Sequence, residues 1–284
     1  MQNRKLRVAY QGAPGAFSES AIQQLLGEQA APVPCTTFDT LFNSISEGSA
    51  ERILAPLENT LAGPVLRCYD LLHESSLHIT AEVVIRISHC LIGCPGARLN
   101  QIRRVESHPV ALAQCEKFFA AHPEIERVAG DDTADSVRRV LENGDLTRAA
   151  IAGAQAAQRY GGQVLLSEIE DDPGNFTRFA LLSPEVEQVP DADATALAIT
   201  IPNEAGSLFR ALEPFAKNNV DLASLVSRPL KGTPWHYRFF FDLWAPLGDP
   251  RLTAALEMLK PRTVAIRIFG SYRSGKQASK RADD

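Results

Sequence analysis

The pattern of apolar residues changes near residue 186, and that change constrains the fold more than any other feature of the chain. Upstream, short apolar strands such as Leu6–Gln11 and Arg52–Leu57 alternate with amphipathic helices such as Phe17–Leu26. Such alternation predicts mostly parallel α/β sheets, and its extent predicts two of them. Downstream, six elements follow in the order βαββαβ within fewer than ninety residues, the order of a ferredoxin-like sandwich. The reading is therefore an α/β region over 1–186 in two lobes, the second spanning about 82–163. A Pro/Asp/Glu-rich linker follows at 187–194, then the small sandwich at 195–272 and a disordered tail at 273–284. Glu82–Leu91 reads as one long strand carrying the chain between lobes, and Ala111–Ala121 as one helix.

Composition narrows the partners. A net charge of −5 over 284 residues offers no electrostatic footprint for nucleic acid or an anionic membrane. An anionic ligand must be held by local groups. Met1–Val8 lacks the apolar stretch of a signal peptide, and no run is long enough to span a bilayer, so a cytoplasmic location is expected. The five cysteines are scattered. Cys90 and Cys94, beside His89, are the one close pair, too few ligands for a metal site, and reduced buried thiols are expected.

Three apolar strands end in polar groups: Glu58-Asn59-Thr60, Ser107-His108 and Asn175-Phe176-Thr177-Arg178-Phe179. Strand ends of this kind are where open α/β sheets place ligands. The loop Gly12-Ala13-Pro14-Gly15 before the first helix lacks the dinucleotide spacing. It reads either as a tight connection or as helix N-terminal amides, Ala16 to Ser18, facing an anion.

These segments resemble the prephenate dehydratases. The stretches that carry the likeness are Gly12–Ser18, Pro56–Gly63, Ser107-His108-Pro109 with Ala111–Cys115, Asp132-Thr133-Ala134, Ala150-Ile151-Ala152, Tyr160-Gly161 and Asn175–Phe179. The last seventy-odd residues resemble an ACT regulatory domain. The resemblance implies a catalytic region with two lobes like a type II periplasmic binding protein and substrate in the cleft. It implies decarboxylating dehydration of prephenate to phenylpyruvate in L-phenylalanine biosynthesis, with no metal or organic cofactor. It also implies feedback by L-phenylalanine at a subunit interface, hence a homodimer or homotetramer.

By the same resemblance Thr177 is the principal catalytic residue, with Glu58, Asn59, Gln114 and Ser107 beside it. Arg178, Thr60, Phe179 and Ser18 are expected to contact substrate, and Gly206, Ser207, Leu208, Ser227 and Arg228 to form the effector site. A threonine hydroxyl is too weak an acid to be the ultimate proton source, so Glu58, if buried, is expected to supply the proton. Arg178 is expected on the pyruvyl carboxylate, because a bidentate grip on the departing carboxylate would oppose decarboxylation.

The sequence departs from the family at Ala16, Thr60, Cys68 and Val110, and at Val226, where a glutamate is usual. These changes leave arogenate open as an alternative substrate and weaken the expectation of feedback. A non-catalytic ligand sensor is the rival reading, set against the complete Asn175–Phe179 segment.

Overall fold

The structure, a computed structural model, describes residues 4–275. The chain runs β1 (Leu6–Gln11), α1 (Phe17–Leu26), β2 (Ala30–Cys35), α2 (Phe38–Ser46), β3 (Arg52–Asn59), β4 (Gly63–Pro64), α3 (Leu66–Glu74), β5 (His78–Arg86) and β6 (Cys90–Gly93). It continues through β7 (Arg104–Ser107), α4 (Pro109–Ala113), α5 (Glu116–Ala121), β8 (Glu126–Ala129), α6 (Thr133–Asn143), β9 (Arg148–Ala152), α7 (Ala154–Tyr160), β10 (Gln163–Leu166) and β11 (Phe176–Ser183). The last part holds β12 (Ala194–Thr200), α8 (Ser207–Lys217), β13 (Leu222–Pro229), β14 (Tyr237–Leu243), α9 (Pro250–Leu259) and β15 (Ala265–Tyr272).

Three sheets result, ordered β2-β1-β3-β11-β5 (with β4 on β3), β10-β6-β9-β7-β8 and β13-β14-β12-β15. The first two are the sheets of the two α/β lobes, and the third is the ferredoxin-like βαββαβ sandwich. Local chemistry accounts for the elements. In α6, Asp132 accepts the Asp135 N–H as N-cap, Gly144 ends the helix in the left-handed region, and Ala134, Val137 and Val140 form its buried stripe.

The described chain divides into two compact units. One is the described chain to Gly63 with Val84–Phe179; the other is Pro64–Val83 with the described chain from Ala180. The first holds the second-lobe core of Leu91, Val105, Leu112, Phe118 and Ile151. The second contains α3 and the small sandwich.

Two expectations about elements are corrected. The long strand at 82–91 is two strands in different sheets, β5 and β6. Between them Ile87 N–H donates to the Asn175 carbonyl and His89 N–H to the Glu170 carboxylate, so the chain leaves one sheet and enters the next. β6 runs antiparallel to both β9 and β10 while β7 pairs with β8 and β9 in parallel, so the second sheet is mixed. The helix expected at 111–121 breaks at Gln114, where ψ is 0, and restarts with the Glu116 and Lys117 amides on the Asp171 carboxylate.

At the other end, the first residues of the tail expected to be disordered from 273 are placed against the small sandwich. Ser274 is buried and bonds Asp193 through both its amide and its hydroxyl. Residues 276–284 lie outside the described residues.

In the second unit the small sheet is covered on both faces. Phe241, Leu197 and Ile199 pack with Phe215 of α8 and Leu252 and Leu259 of α9. On the other face Phe240 meets Tyr69 and His73 of α3. No helix among the described residues is long and apolar enough to cross a membrane.

Candidate active site

The site is built around Asn59, the last residue of β3. Its Oδ1 accepts the N–H groups of Leu61 (3.0 Å) and Ala62 (2.8 Å), so the amide cannot be turned round. Its Nδ2 therefore donates, reaching Asn175 Oδ1 at 2.7 Å, the Phe176 carbonyl at 3.1 Å and Thr177 Oγ1 at 3.0 Å. Thr177 thus receives a hydrogen bond on its oxygen, and its own hydroxyl hydrogen is directed away from Asn59. Asn175, fully buried, passes the polarity on. With its Oδ1 occupied, its Nδ2 donates to Gln114 Oε1 at 3.0 Å, and His89 Nε2 lies 3.0 Å from the same oxygen.

The helix break makes this possible. Gln114 ends α4, its backbone carbonyl accepts the Asp171 N–H, and its side chain is released from the helical surface toward β11. Asn59, Gln114 and Thr177, expected at the site, are brought into one network. Asn175 and His89 belong to it as well and were not among the expected site residues. The sequence signal for Asn175 is its place in the Asn-Phe-Thr-Arg-Phe segment. His89 had only its place beside two cysteines.

Arg178 and Glu58 form a separate pair. Strand alternation sends Arg178 from the face of β11 opposite to Thr177, where its buried guanidinium lies 3.5 Å from Glu58 Oε2. The Glu58 side chain is 38% exposed, so the burial on which its role as proton donor rested is absent.

Other expected residues are placed differently. Ser107 is fully buried and donates its hydroxyl to the Ile151 carbonyl at 2.6 Å, stitching β7 to β9. Thr60 Oγ1 donates to the Gly174 carbonyl and accepts the Phe176 N–H, which closes two loops on each other. Phe179 is buried in the core, and Ser18 is buried in the first turn of α1. Of the two readings of the Gly12–Gly15 loop, the tight connection fits, because the Ala16 N–H donates to the Ala13 carbonyl.

The expected effector residues lie in the second unit. Gly206 (φ +79°) caps α8, and the buried Ser207 accepts from Arg210. Arg228 is not open to a ligand. It grips Asp70 of α3 with Nε–Oδ1 at 2.8 Å and Nη2–Oδ2 at 2.6 Å. Val226 and Arg228 stand opposite Phe240 and Arg238 on β14, on the face that α3 covers. A valine suits that position, because a glutamate there would be buried. Burial, then the charges of Arg238 and Arg267, push the nearby His73 down to about 4.

The Arg228 guanidinium hydrogen bonds hold the Asp70 carboxyl below the usual carboxylate range, against the opposing effect of burial. A depressed carboxylate adds stability that is present above its unfolded value and lost as pH falls through the folded one. Asp70→Asn is therefore expected to cost about 1–2 kcal/mol at pH 7, a melting shift of roughly 3–8 °C, with the difference from wild type shrinking as pH falls below the ordinary aspartate range. Thermal melts of both proteins between pH 3 and 7 check this, and a pH-independent difference would remove the ion pair as its cause.

All five cysteines are free thiols, and no group of three or more His, Cys, Asp or Glu among the described residues could hold a metal ion.

Comparison with known proteins bears on this site. A bifunctional chorismate mutase/prephenate dehydratase of Neisseria gonorrhoeae is 36% identical over 270 residues, 95% of this chain and 75% of that protein. Arogenate dehydratase 2 of Petunia hybrida is 38% identical over 290 residues, 96% of this chain and 73% of that protein. The solved prephenate dehydratase of Arthrobacter aurescens, in complex with L-Phe, superposes with a TM-score of 0.87 at 32% identity, covering 96% of this chain and 91% of that one. Residues 8–187, which include every member of the Asn59–Thr177–Gln114 network, match the family described as prephenate dehydratase, and the chain belongs to that family.

Proposed function

We propose that the enzyme converts prephenate to phenylpyruvate, with Thr177 at the departing oxygen. The ring carboxylate leaves as carbon dioxide, and its C–C electron pair moves into the ring. The C–O bond at the opposite ring carbon breaks, and the departing oxygen takes up one proton to leave as water. Aromatisation drives the sequence, so the enzyme mainly assists the leaving hydroxide. The observation that carries this reading is the 3.0 Å bond from Asn59 to Thr177 Oγ1, which leaves the threonine hydrogen to donate. The net proton comes from solvent, with Thr177 as donor at the oxygen. Arg178 supplies the cation for the carboxylate that persists in the product, and Glu58 beside it sets how much of that charge the substrate feels.

A second reading, dehydration of arogenate to phenylalanine, is favoured by the plant relatives. The two substrates differ by an amino group in place of a keto oxygen. Purified enzyme given each one separates them: phenylpyruvate appears in the ultraviolet from prephenate, and phenylalanine from arogenate. We expect kcat/KM to favour prephenate by about tenfold or more. Turnover of neither would leave the sensor reading.

The βαββαβ domain serves as an ACT domain in this proposal. The α8 N-terminus at Gly206, Ser207 and Leu208, with Ser227, receives L-phenylalanine between two subunits of a cytoplasmic homodimer or homotetramer. Arg228 acts there as the link from β13 to α3 rather than as a ligand group. The same assay repeated with added phenylalanine tests the feedback, and unchanged rates would leave the domain a purely structural role.

A further inference from the structure

His89 sits on the segment between β5 and β6, 2% exposed, with its ring edge-on to Phe17 at 5.7 Å between centroids. Its partner atom, Gln114 Oε1, already accepts from Asn175 Nδ2. The polarity of that bond is fixed from the other end, because the Leu61 and Ala62 amides orient Asn59, and Asn59 Nδ2 orients Asn175. Gln114 Oε1 is therefore an acceptor, and His89 must donate to it through Nε2–H. This tautomer leaves Nδ1 as a buried acceptor, and Nδ1 has no hydrogen-bond partner among the described residues. A buried nitrogen in that condition is destabilising and calls for an explanation.

We propose that His89 is a positioning residue. Together with Asn175 it pins the Gln114 carboxamide oxygen, so that the Gln114 nitrogen faces the bound substrate as a hydrogen-bond donor. Keeping the ring hydrogen on Nε2 makes the orphaned Nδ1 an acceptor rather than an unpaired donor. Burial also holds the imidazole below its usual range, with the Gln114 bond and Glu170 opposing, so the ring is neutral and carries a single N–H. Thr177 and Gln114 are then the two donor ends of one amide chain anchored on the backbone after β3. The inference rests on the proposed dehydratase reading for what Gln114 contacts, but not for its orientation.

Three variants test it. His89→Phe keeps a ring against Phe17 and removes the donor; kcat is expected to fall about tenfold with KM within about twofold. His89→Gln restores an N–H within reach and is expected to recover most of that loss. Gln114→Glu keeps an acceptor for both partners but offers substrate an oxygen instead of a donor, with an expected fall in kcat of about 100-fold. Adding His89→Phe to Gln114→Glu is expected to cost little more, since there is no longer an amide to orient.

Nitrogen-15 NMR of the wild-type imidazole is expected to show His89 protonated at Nε2 only. Full additivity in the double variant, or a folded His89→Phe with wild-type kcat, would overturn the positioning role. So would an Nδ1–H tautomer. If the wild type turned over neither prephenate nor arogenate, the function would fall, while the NMR signature would still decide the orientation.

Discussion

Thr177→Ala is expected to lower kcat by about 100- to 1000-fold while KM for prephenate stays within about threefold. The effect should be clean because the change leaves no partner stranded. Asn59 Nδ2 loses one acceptor but keeps Asn175 Oδ1 and the Phe176 carbonyl. What disappears is a hydroxyl whose oxygen is already engaged and whose hydrogen is therefore available in one direction. A donor held in that way matters most when charge builds on the departing oxygen, so its loss falls on kcat rather than on ground-state binding. Thr177→Ser keeps the hydroxyl and is expected to retain activity within about tenfold, the remainder reflecting the extra rotamer freedom of serine. Steady-state rates for the three proteins check both expectations. An alanine variant within about threefold of wild type would remove Thr177 from the chemistry.

The sequence showed the parts of this site that are local and hid those that depend on how segments meet. Alternation along β3 and β11 placed Asn59 and Thr177 at strand ends, and the βαββαβ order of the last domain was readable from spacing alone. Ser107 shows the limit: a serine at a strand end looks the same in sequence whether its hydroxyl faces a cleft or, as here, the Ile151 carbonyl inside the sheet. His89 shows the reverse, since nothing within several residues of it announces Gln114, 25 positions away.

The break in the helix at Gln114 was hidden for the same reason. The apolar spacing of 111–121 fits one helix, and what interrupts it is Asp171, more than fifty residues on, capping the second half. Charge pairs are equally silent. Asp70 and Arg228 are 158 residues apart, and only the packing of α3 against the small sheet makes a regulatory-looking arginine into a structural link.

That packing sets the second large effect. Gly270→Ala is expected to destabilise the second unit by about 3 kcal/mol or more and to lower its melting temperature by roughly 10 °C. Gly270 has φ +155°, and a Cβ there would lie 2.2 Å from the Ile79 carbonyl oxygen and within 3.3 Å of the Ile79 carbonyl carbon and amide nitrogen. The obstacle is backbone, so no rotamer change relieves it. The register explains why the strand comes so near. Gly270 pairs with Ala196 while Leu197 already pairs with Ile268, so Phe269 is the extra residue of a bulge and β15 bends at that point. The bend lets Phe269 stack on Phe240 with ring centroids 5.8 Å apart, on the face that His73 of α3 also meets. Gly248→Ala is the matched control, because its Cβ would meet nothing within 4 Å, and its melting temperature is expected to stay close to wild type. Calorimetry of the two variants separates the cases. Equal melting temperatures would mean that β15 does not approach Ile79 this closely, and the docking of α3 on the small sheet would then need a looser geometry than its ion pair implies.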